Sequence, residues 1–308
     1  MISLLKIGIQ SGDLYYDSNY EWGLDIVKDA GFDCIDFNID QKISYGDTKK
    51  GIKNTFFAQS DEALREYYRP QKLAMEDRGI TMSQMHGPFP VYCPGNAEAT
   101  DVLINATIKS IMLCEFFGCP YLVVHPVKAD NLKLEWEINH EIYMRLLPAA
   151  QKYGVGICLE NMFADHAGHV IESVCSDFER AAGYIDALND EAGEKVFSFC
   201  FDVGHANLLG KDLRGSINIL GDRLTVLHIH DNNGIGDNHL QPYSNKRGRY
   251  WLTDWEGFLA GLKDINYGGV LSFETFNAVR ELPLELVPAM VNYVGSVGKY
   301  FAERLAAD

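Results

Sequence analysis

The chain has 308 residues, of which 47% are hydrophobic, 12% aromatic and 23% charged. This composition is that of an ordinary globular protein and excludes collagen-like, coiled-coil and disordered chains. No stretch approaches the ~18 consecutive apolar residues that a membrane span requires. The 27 basic and 43 acidic side chains give a formal net charge of −16, which repels polyanions and weighs against nucleic acid as a partner.

The start of the chain and its cysteines bear on where the protein works. The segment MISLLKIGIQSGD carries its Lys after a very short apolar run, which is not the pattern of a secretory signal. The seven cysteines are odd in number and include no Cys-x-x-Cys pair, so we expect reduced, mostly buried thiols. Both features predict a cytoplasmic protein.

Short apolar runs alternate with longer amphipathic segments along the whole chain. One helix is predicted over 97–117, where Leu103, Ala106, Leu113 and Phe117 share a face. Residues 41–60 fit neither the apolar run of a strand nor the spacing of a helix face. We interpret them as an insertion after the second strand, over one rim of the fold. The runs predict eight strands, at residues 4–10, 34–39, 81–86, 121–125, 156–160, 197–202, 226–230 and 269–274.

Eight strands that each precede a helix, in about 300 residues, predict one α/β domain over 1–308, a (β/α)8 TIM barrel. The alternative is a doubly wound open sheet. It fits less well because the first strand leads into Gly12-Asp13-Leu14 rather than a Gly-x-Gly-x-x-Gly phosphate turn.

Residue types that bind divalent metals end the last six predicted strands. In a barrel these strand ends form one ring, so side chains 26–46 residues apart in sequence would converge. Any one of them alone is more often a hydrogen-bonded structural residue, but six in register predict a metal site, because a metal satisfies several buried polar groups together. The six are His86, His125, Glu160, Asp202, His228 and Glu274, with His205, Asp237 and His239 in the following loops.

The motifs around these residues, MHGPF, VVHP, CLEN, CFDVGHAN, VLHIHD and LSFET, resemble the xylose isomerase-like TIM-barrel superfamily over nearly the whole chain. That group contains sugar and sugar-phosphate isomerases and epimerases together with endonuclease IV, of AP endonuclease family 2. The resemblance implies a metal held by Glu160, Asp202, His228 and Glu274. It also implies that Glu160 and Glu274 are the catalytic acid and base.

The resemblance leaves the roles of the other polar residues open between two branches. In the epimerases the position of His205 contacts substrate, and we expect His86 and His125 to bind substrate as well. In the endonuclease branch the equivalent positions bind further zinc ions. These zinc ligands would be His86, His125, His205, Asp237 and His239.

One loop favours the sugar enzymes. The family's Pro-Gly-x-Gly turn before Asp-Trp is replaced here by HLQPYSNKRGRYWLTDW, which keeps Pro242 and Asp254-Trp255 but lacks the Gly pair. With the acidic charge balance, this departure weighs against a zinc phosphodiester hydrolase. A dehydratase of the same superfamily and a non-catalytic binding module stay open, although the intact Glu160 and Glu274 pair speaks against the module.

The sequence therefore predicts a metal-dependent isomerase or epimerase that moves a proton through an ene-diolate on a small carbohydrate. Its oxygen-rich ligand set suits Mn²⁺ or Mg²⁺ and is compatible with Zn²⁺. Lys246, Arg247 and Arg249 form the densest basic cluster, and they predict a clamp for a phosphate or carboxylate of the substrate. The alternative for this cluster is a solvated surface loop, and a homo-oligomer remains open.

Overall fold

The computed structural model describes residues 4–280 and 282–307. The strands are β1 (Ile7–Gln10), β2 (Cys34–Asn38), β3 (Thr81–His86), β4 (Tyr121–Val123), β5 (Gly156–Glu160), β6 (Phe163–His166), β7 (His169–Glu172), β8 (Phe197–Asp202), β9 (Leu224–His228), β10 (Lys246–Arg247), β11 (Tyr250–Trp251) and β12 (Leu271–Phe273). The helices are α1 (Tyr20–Asp29), α2 (Tyr45–Lys49), α3 (Asp61–Arg78), α4 (Ala97–Phe117), α5 (Leu132–Tyr153), α6 (Phe178–Ala192), α7 (Val203–Leu208), α8 (Leu213–Leu220), α9 (Trp255–Asp264), α10 (Phe276–Arg280) and α11 (Val287–Ala306).

Eight of the strands form one parallel sheet in the order β12-β1-β2-β3-β4-β5-β8-β9. The ring closes just after β9, where the Ile229 amide donates to the Ser272 carbonyl at 2.9 Å and the Glu274 amide donates to the Ile229 carbonyl at 3.0 Å. The predicted single-domain (β/α)8 TIM barrel is therefore confirmed. Closure places the carboxyl ends of all eight strands on one face.

The helices begin and end where local chemistry favours it. The Asn96 side chain caps α4 by accepting from the Ala99 amide at 3.0 Å, and the helix ends at Gly118, whose φ of +72° is a left-handed conformation that glycine adopts without strain. The observed α4 coincides with the helix predicted over 97–117. Its buried side chains pack on the barrel strands and help to fix the loop that follows β3.

Strand lengths differ slightly from the sequence prediction. Strands β3, β5 and β8 have the predicted bounds, whereas β1 begins three residues later and β12 spans only Leu271–Phe273. A strand extends only as far as its neighbours supply hydrogen-bond partners, and β12 pairs with just three residues of β1. The short β12 thus limits the length of β1.

The segment between β2 and α3 is ordered by polar contacts with the loop after β3. It contains a 3-10 turn at Asp40–Lys42 and the short helix α2. The carboxylate of Asp40 accepts from the Phe89 amide at 2.7 Å, and the Tyr45 hydroxyl lies 3.5 Å from the Cys93 sulfur. These contacts tie the segment to the loop after β3, at the carboxyl-terminal side of the barrel.

All seven cysteines are free thiols and are buried. Within residues 4–280 and 282–307, no helix combines the length and the apolar character needed to cross a membrane.

Close packing of α11 against α1 yields a stability prediction. A Cβ on Gly295 would lie 2.7 Å from the Ala30 carbonyl oxygen, whereas a Cβ on Gly183 in α6 would meet nothing within 4 Å. Gly295→Ala should lower the free energy of unfolding by about 1–3 kcal/mol, because backbone must move to admit the methyl group. Gly183→Ala, the matched control, should raise it by about 0.5–1 kcal/mol through helix propensity. Urea denaturation checks both, and equal effects would contradict the described approach of the two helices.

Candidate active and metal site

The six predicted strand-end residues converge at the carboxyl-terminal face of the barrel. Nδ1 of His228 lies 3.3 Å from Oε2 of Glu160, 3.3 Å from Oε2 of Glu274 and 4.0 Å from Oδ2 of Asp202. Nε2 of His125 lies 2.9 Å from the same Glu160 oxygen. Side chains from five strand ends thus direct carboxylate oxygens and imidazole nitrogens at one another.

These groups are buried but poorly satisfied by the protein itself. Glu160 is 1% exposed, and His228 and Asp202 are 0% exposed. Oε2 of Glu160 and both ring nitrogens of His228 and His125 nevertheless lack a hydrogen bond of acceptable geometry. Buried polar atoms without partners are costly, and a cation among them would satisfy several at once. The arrangement could hold a metal ion.

Ligand atoms within 4.8 Å of one another form several overlapping groups. The group of Asp202, His228 and Glu274 contains three of the four ligands that the sequence predicts, and Glu160 joins other groups with Asp202 or with His228. A further group combines His86, His125 and Glu160, and another combines His205, His230, Asp237 and His239.

The last of these groups is preorganised by backbone carbonyls. Nδ1 of His205 bonds the Asn161 carbonyl at 2.8 Å, and Nδ1 of His239 bonds the Glu274 carbonyl at 3.2 Å. Each ring therefore donates through Nδ1 and turns Nε2 toward Asp237, at 3.5 and 2.8 Å. A carbonyl that fixes the tautomer in this way is typical of histidines that bind metals.

His230 belongs to this group and was not predicted from the sequence. Its Nε2 bonds both carboxylate oxygens of Asp202 at 3.0 and 3.1 Å, and its ring stacks on His239 at 3.9 Å. A signal did exist, because residues two apart in an extended strand share a face, and His230 follows His228 by two. His230 links the site of Asp202 to the site of Asp237.

The ring of His230 also explains a glycine in α7. An added Cβ on Gly204 would lie 1.9 Å from Cε1 of His230, so a larger residue would push the imidazole away from Asp202. Asp202 itself caps α7 by accepting from the His205 amide at 2.6 Å. The DVGH motif therefore starts helix α7 and also supplies a carboxylate, from Asp202, and an imidazole, from His205, to the site.

Asp36 is a second residue that sequence reasoning missed. It ends no strand but lies inside β2, is fully buried, and places Oδ2 3.2 Å from Nε2 of His228. The same oxygen accepts from Nε2 of Gln84 at 3.0 Å. A carboxylate behind His228 favours a proton on Nε2 and leaves Nδ1 free to face Glu160 and Glu274. An acidic residue in the otherwise apolar run CIDF was the available signal.

The two candidate catalytic glutamates differ electrostatically. Burial raises the pKa of Glu274 to about 8, with the charges of Glu160 and Asp202 adding to the effect and His228 opposing it. Burial also acts to raise the pKa of Glu160, but His125 and His228 outweigh it and hold the pKa well below its ordinary value. In the metal-free protein Glu160 is therefore ionised at neutral pH and Glu274 is mostly protonated.

Hydrogen bonding also separates the two oxygens of Glu274. Oε1 accepts from the Gln10 side chain, while Oε2 faces His228. One oxygen is thus held by the protein, and the other points to the centre of the site.

The predicted basic cluster lies on an exposed hairpin. Lys246, Arg247 and Arg249 are exposed on the β10–β11 hairpin. Nζ of Lys246 lies 3.7 Å from the centre of the Trp251 ring, and the guanidinium of Arg249 lies 5.0 Å from that of Tyr250. These contacts stay within the hairpin, so an anion clamp formed by Arg247 and Arg249 stays a prediction.

Comparison with known proteins gives the family. Residues 24–290 match the model of the xylose isomerase-like TIM barrel. The inosose isomerase of Bacillus velezensis is 22% identical over 276 residues, which cover 88% of this chain and 89% of that protein. A crystal structure of a D-tagatose 3-epimerase-like protein covers 98% of both chains with a TM-score of 0.72 and 18% identity. A crystal structure of IolI with a bound zinc atom also covers 98% of both, with a TM-score of 0.67 and 18% identity.

The family match extends over most of the chain, and the barrel, with polar residues at its strand ends, agrees with it. The chain belongs to the xylose isomerase-like TIM-barrel family.

Proposed function

We propose that the protein is a divalent-metal-dependent sugar or sugar-phosphate isomerase or epimerase that transfers a proton through an ene-diolate. The observation that carries this proposal is the pair of buried glutamates, Glu160 and Glu274, each of which has a carboxylate oxygen 3.3 Å from Nδ1 of His228. Two carboxyl groups whose environments drive their pKa values apart are the usual basis of an acid and base pair. The inosose isomerase and epimerase relatives support the same reaction class.

The donor set fits a divalent cation. Glu160, Asp202, His228 and Glu274 would hold it, and the unpartnered buried atoms of Glu160 and His228 are the ones such an ion would satisfy. Three carboxylates and one imidazole suit Mn²⁺, Mg²⁺ or Zn²⁺. When bound, the ion would stabilise negative charge that develops on the substrate's oxygens.

The protein's own groups would move the proton. Glu160 would act as the base that removes a proton from the carbon next to the carbonyl group, and Glu274, whose other oxygen is held by Gln10, would return a proton to the product. In an epimerase the two carboxyl groups act on opposite faces of that carbon. We assign substrate binding to His86, His125 and His205, whose rings surround Glu160 or adjoin it.

Replacing either glutamate by glutamine tests the acid and base roles. Glutamine keeps the shape and one ligand oxygen but accepts no proton near neutral pH. Glu160→Gln and Glu274→Gln should retain much of the bound metal and lose turnover by about 100-fold or more. Metal analysis and NMR of keto sugars in D₂O measure both quantities, and D₂O also separates epimerisation from loss of water. Turnover that falls only in proportion to lost metal would contradict the assignment.

Asp36 gives a prediction on metal affinity. Asp36→Asn removes the carboxylate behind His228 and should weaken Mn²⁺ binding by about 10–100-fold, as measured by calorimetry. Asp231→Asn is the matched control, because this buried acid bonds Thr253 and the Ser244 amide instead of His228. Equal loss of affinity in the two variants would contradict a specific effect of Asp36 on His228 and would show that either substitution only destabilises the fold.

A zinc phosphodiester hydrolase is the second candidate, and the group of His205, His230, Asp237 and His239 favours it. Together with the His86, His125 and Glu160 group, it gives the site the capacity for more than one metal. Paired metals stabilise the attacking and leaving oxygens of a phosphodiester. The net charge of −16 opposes binding of a polyanion, so we rank this candidate below the sugar enzyme.

An abasic-site duplex distinguishes the two functions. We expect no cleavage of the duplex at physiological salt with Zn²⁺ or Mn²⁺ present, and measurable deuterium exchange into a keto sugar under the same conditions. Denaturing gel electrophoresis of the labelled strand is the measurement. Efficient nicking at the lesion that is lost in Asp237→Asn would reverse the ranking.

A further inference from the structure

An apolar cleft opens beside the candidate site on the same face of the barrel. Its volume is about 340 Å³, within the range of small-molecule sites. The loops after β3 and β4, the segment between β2 and α3, and the β6–β7 hairpin build its walls. We define the apolar cleft by Tyr45, Phe89, Tyr92, Met162, Phe163 and Val174.

Two aromatic rings join the apolar cleft to the candidate site. Phe89 packs edge-on against His125 with ring centres 4.5 Å apart, and Phe163 packs against His205 at 5.0 Å. His125 itself lines the cleft and contacts Glu160. A molecule whose reacting carbons lay at Glu160 could therefore extend its distal end into the cleft.

The exposed aromatic surface in the cleft is held in place by the fold. Phe89 is 45% exposed, and its amide is bonded by the carboxylate of Asp40. Across the cleft, the amide of Met162 donates to the Val174 carbonyl at 3.1 Å and ties together the base of the β6–β7 hairpin. Ordered apolar surface that faces solvent beside a polar site is typical of ligand contact.

The polar groups of the cleft do not suit a hydroxyl-rich occupant. Among its described lining residues the polar side chains are Tyr45, Tyr92, His125, Lys128 and Ser173, and none of these residues is a carboxylate. The Tyr45 hydroxyl is already engaged by Cys93. Most of the lining is apolar, so sugar hydroxyls placed here would lose more hydrogen bonds to water than they regain, whereas an apolar group would gain from burial.

We propose that the apolar cleft is a substrate subsite that takes an apolar substituent, of about the size of a phenyl ring, on the keto sugar that reacts at Glu160 and Glu274. The sugar part of this statement rests on the proposed function. The subsite itself rests on the cleft and on its continuity with His125 and His205.

A matched pair of ligands tests the subsite. Phenyl and methyl 3-keto-β-D-glucopyranosides share the keto sugar and differ only in the substituent. With millimolar Mn²⁺ present, calorimetry should show about tenfold tighter binding of the phenyl compound, in line with the burial of one ring. Phe89→Ala should remove most of that preference, and Phe89→Leu should keep much of it. Tyr250→Ala, which removes an exposed ring of the β10–β11 hairpin, should leave it unchanged.

The outcomes separate the subsite from the proposed function. A phenyl preference that depends on Phe89 supports the subsite even if neither compound exchanges deuterium, and that failure would then fall on the isomerase proposal alone. Equal affinities for the two compounds, or a phenyl preference that survives Phe89→Ala, would overturn the subsite. Tighter binding of a glucosyl disaccharide than of the phenyl compound would also overturn it, because the cleft would then prefer a polar occupant.

Discussion

The burial of carboxylates and imidazoles without sufficient partners is the constraint on which the site depends. Glu160, Asp202 and His228 lie at the ends of apolar strands, where water is excluded and where each charge carries a desolvation cost. Mutual contacts offset part of that cost, and unpartnered atoms of Glu160 and His228 remain. Such a set is stable only if its charges are balanced, by protons in the metal-free protein or by a cation.

Proton balance links the glutamates to metal uptake. Because the pKa of Glu274 is about 8, above its ordinary value of 4.5, the folded protein keeps a proton that an unfolded chain releases between these pH values. The contribution of this group to stability is therefore present at low pH and is lost as the pH rises through about 8. A metal ligand must be deprotonated, so a cation and this proton compete for Glu274.

Residues on neighbouring strands of the barrel contact these buried groups and offset part of the cost of burying them. Asp36 in β2 places a carboxylate oxygen 3.2 Å from Nε2 of His228, and Gln10 in β1 donates to Glu274. Carbonyls after β5 and β12 fix the tautomers of His205 and His239. The rim loops then add the apolar cleft, which the strand ends alone would not provide.

Sequence reasoning found the residues whose position follows from strand order. Glu160 and Asp202 each end an apolar run, and parallel strands bring such ends together whatever the loops do. Asp36 and His230 were not predicted from the sequence, because their roles depend on the direction of a side chain and on a partner in another strand. Phe89 gave only a weak signal, because an aromatic residue near a barrel end can pack against a sugar but is more often plain packing. Its exposure follows from how the 40–60 segment and the loop after β3 meet.

Anomalous diffraction from crystals grown with Mn²⁺ tests the central claim most directly. The account predicts a manganese peak bonded by carboxylate oxygens of Glu160, Asp202 and Glu274 and by Nδ1 of His228, and loss of that peak in His228→Ala. No peak at these atoms, or manganese only among His205, Asp237 and His239, would contradict it.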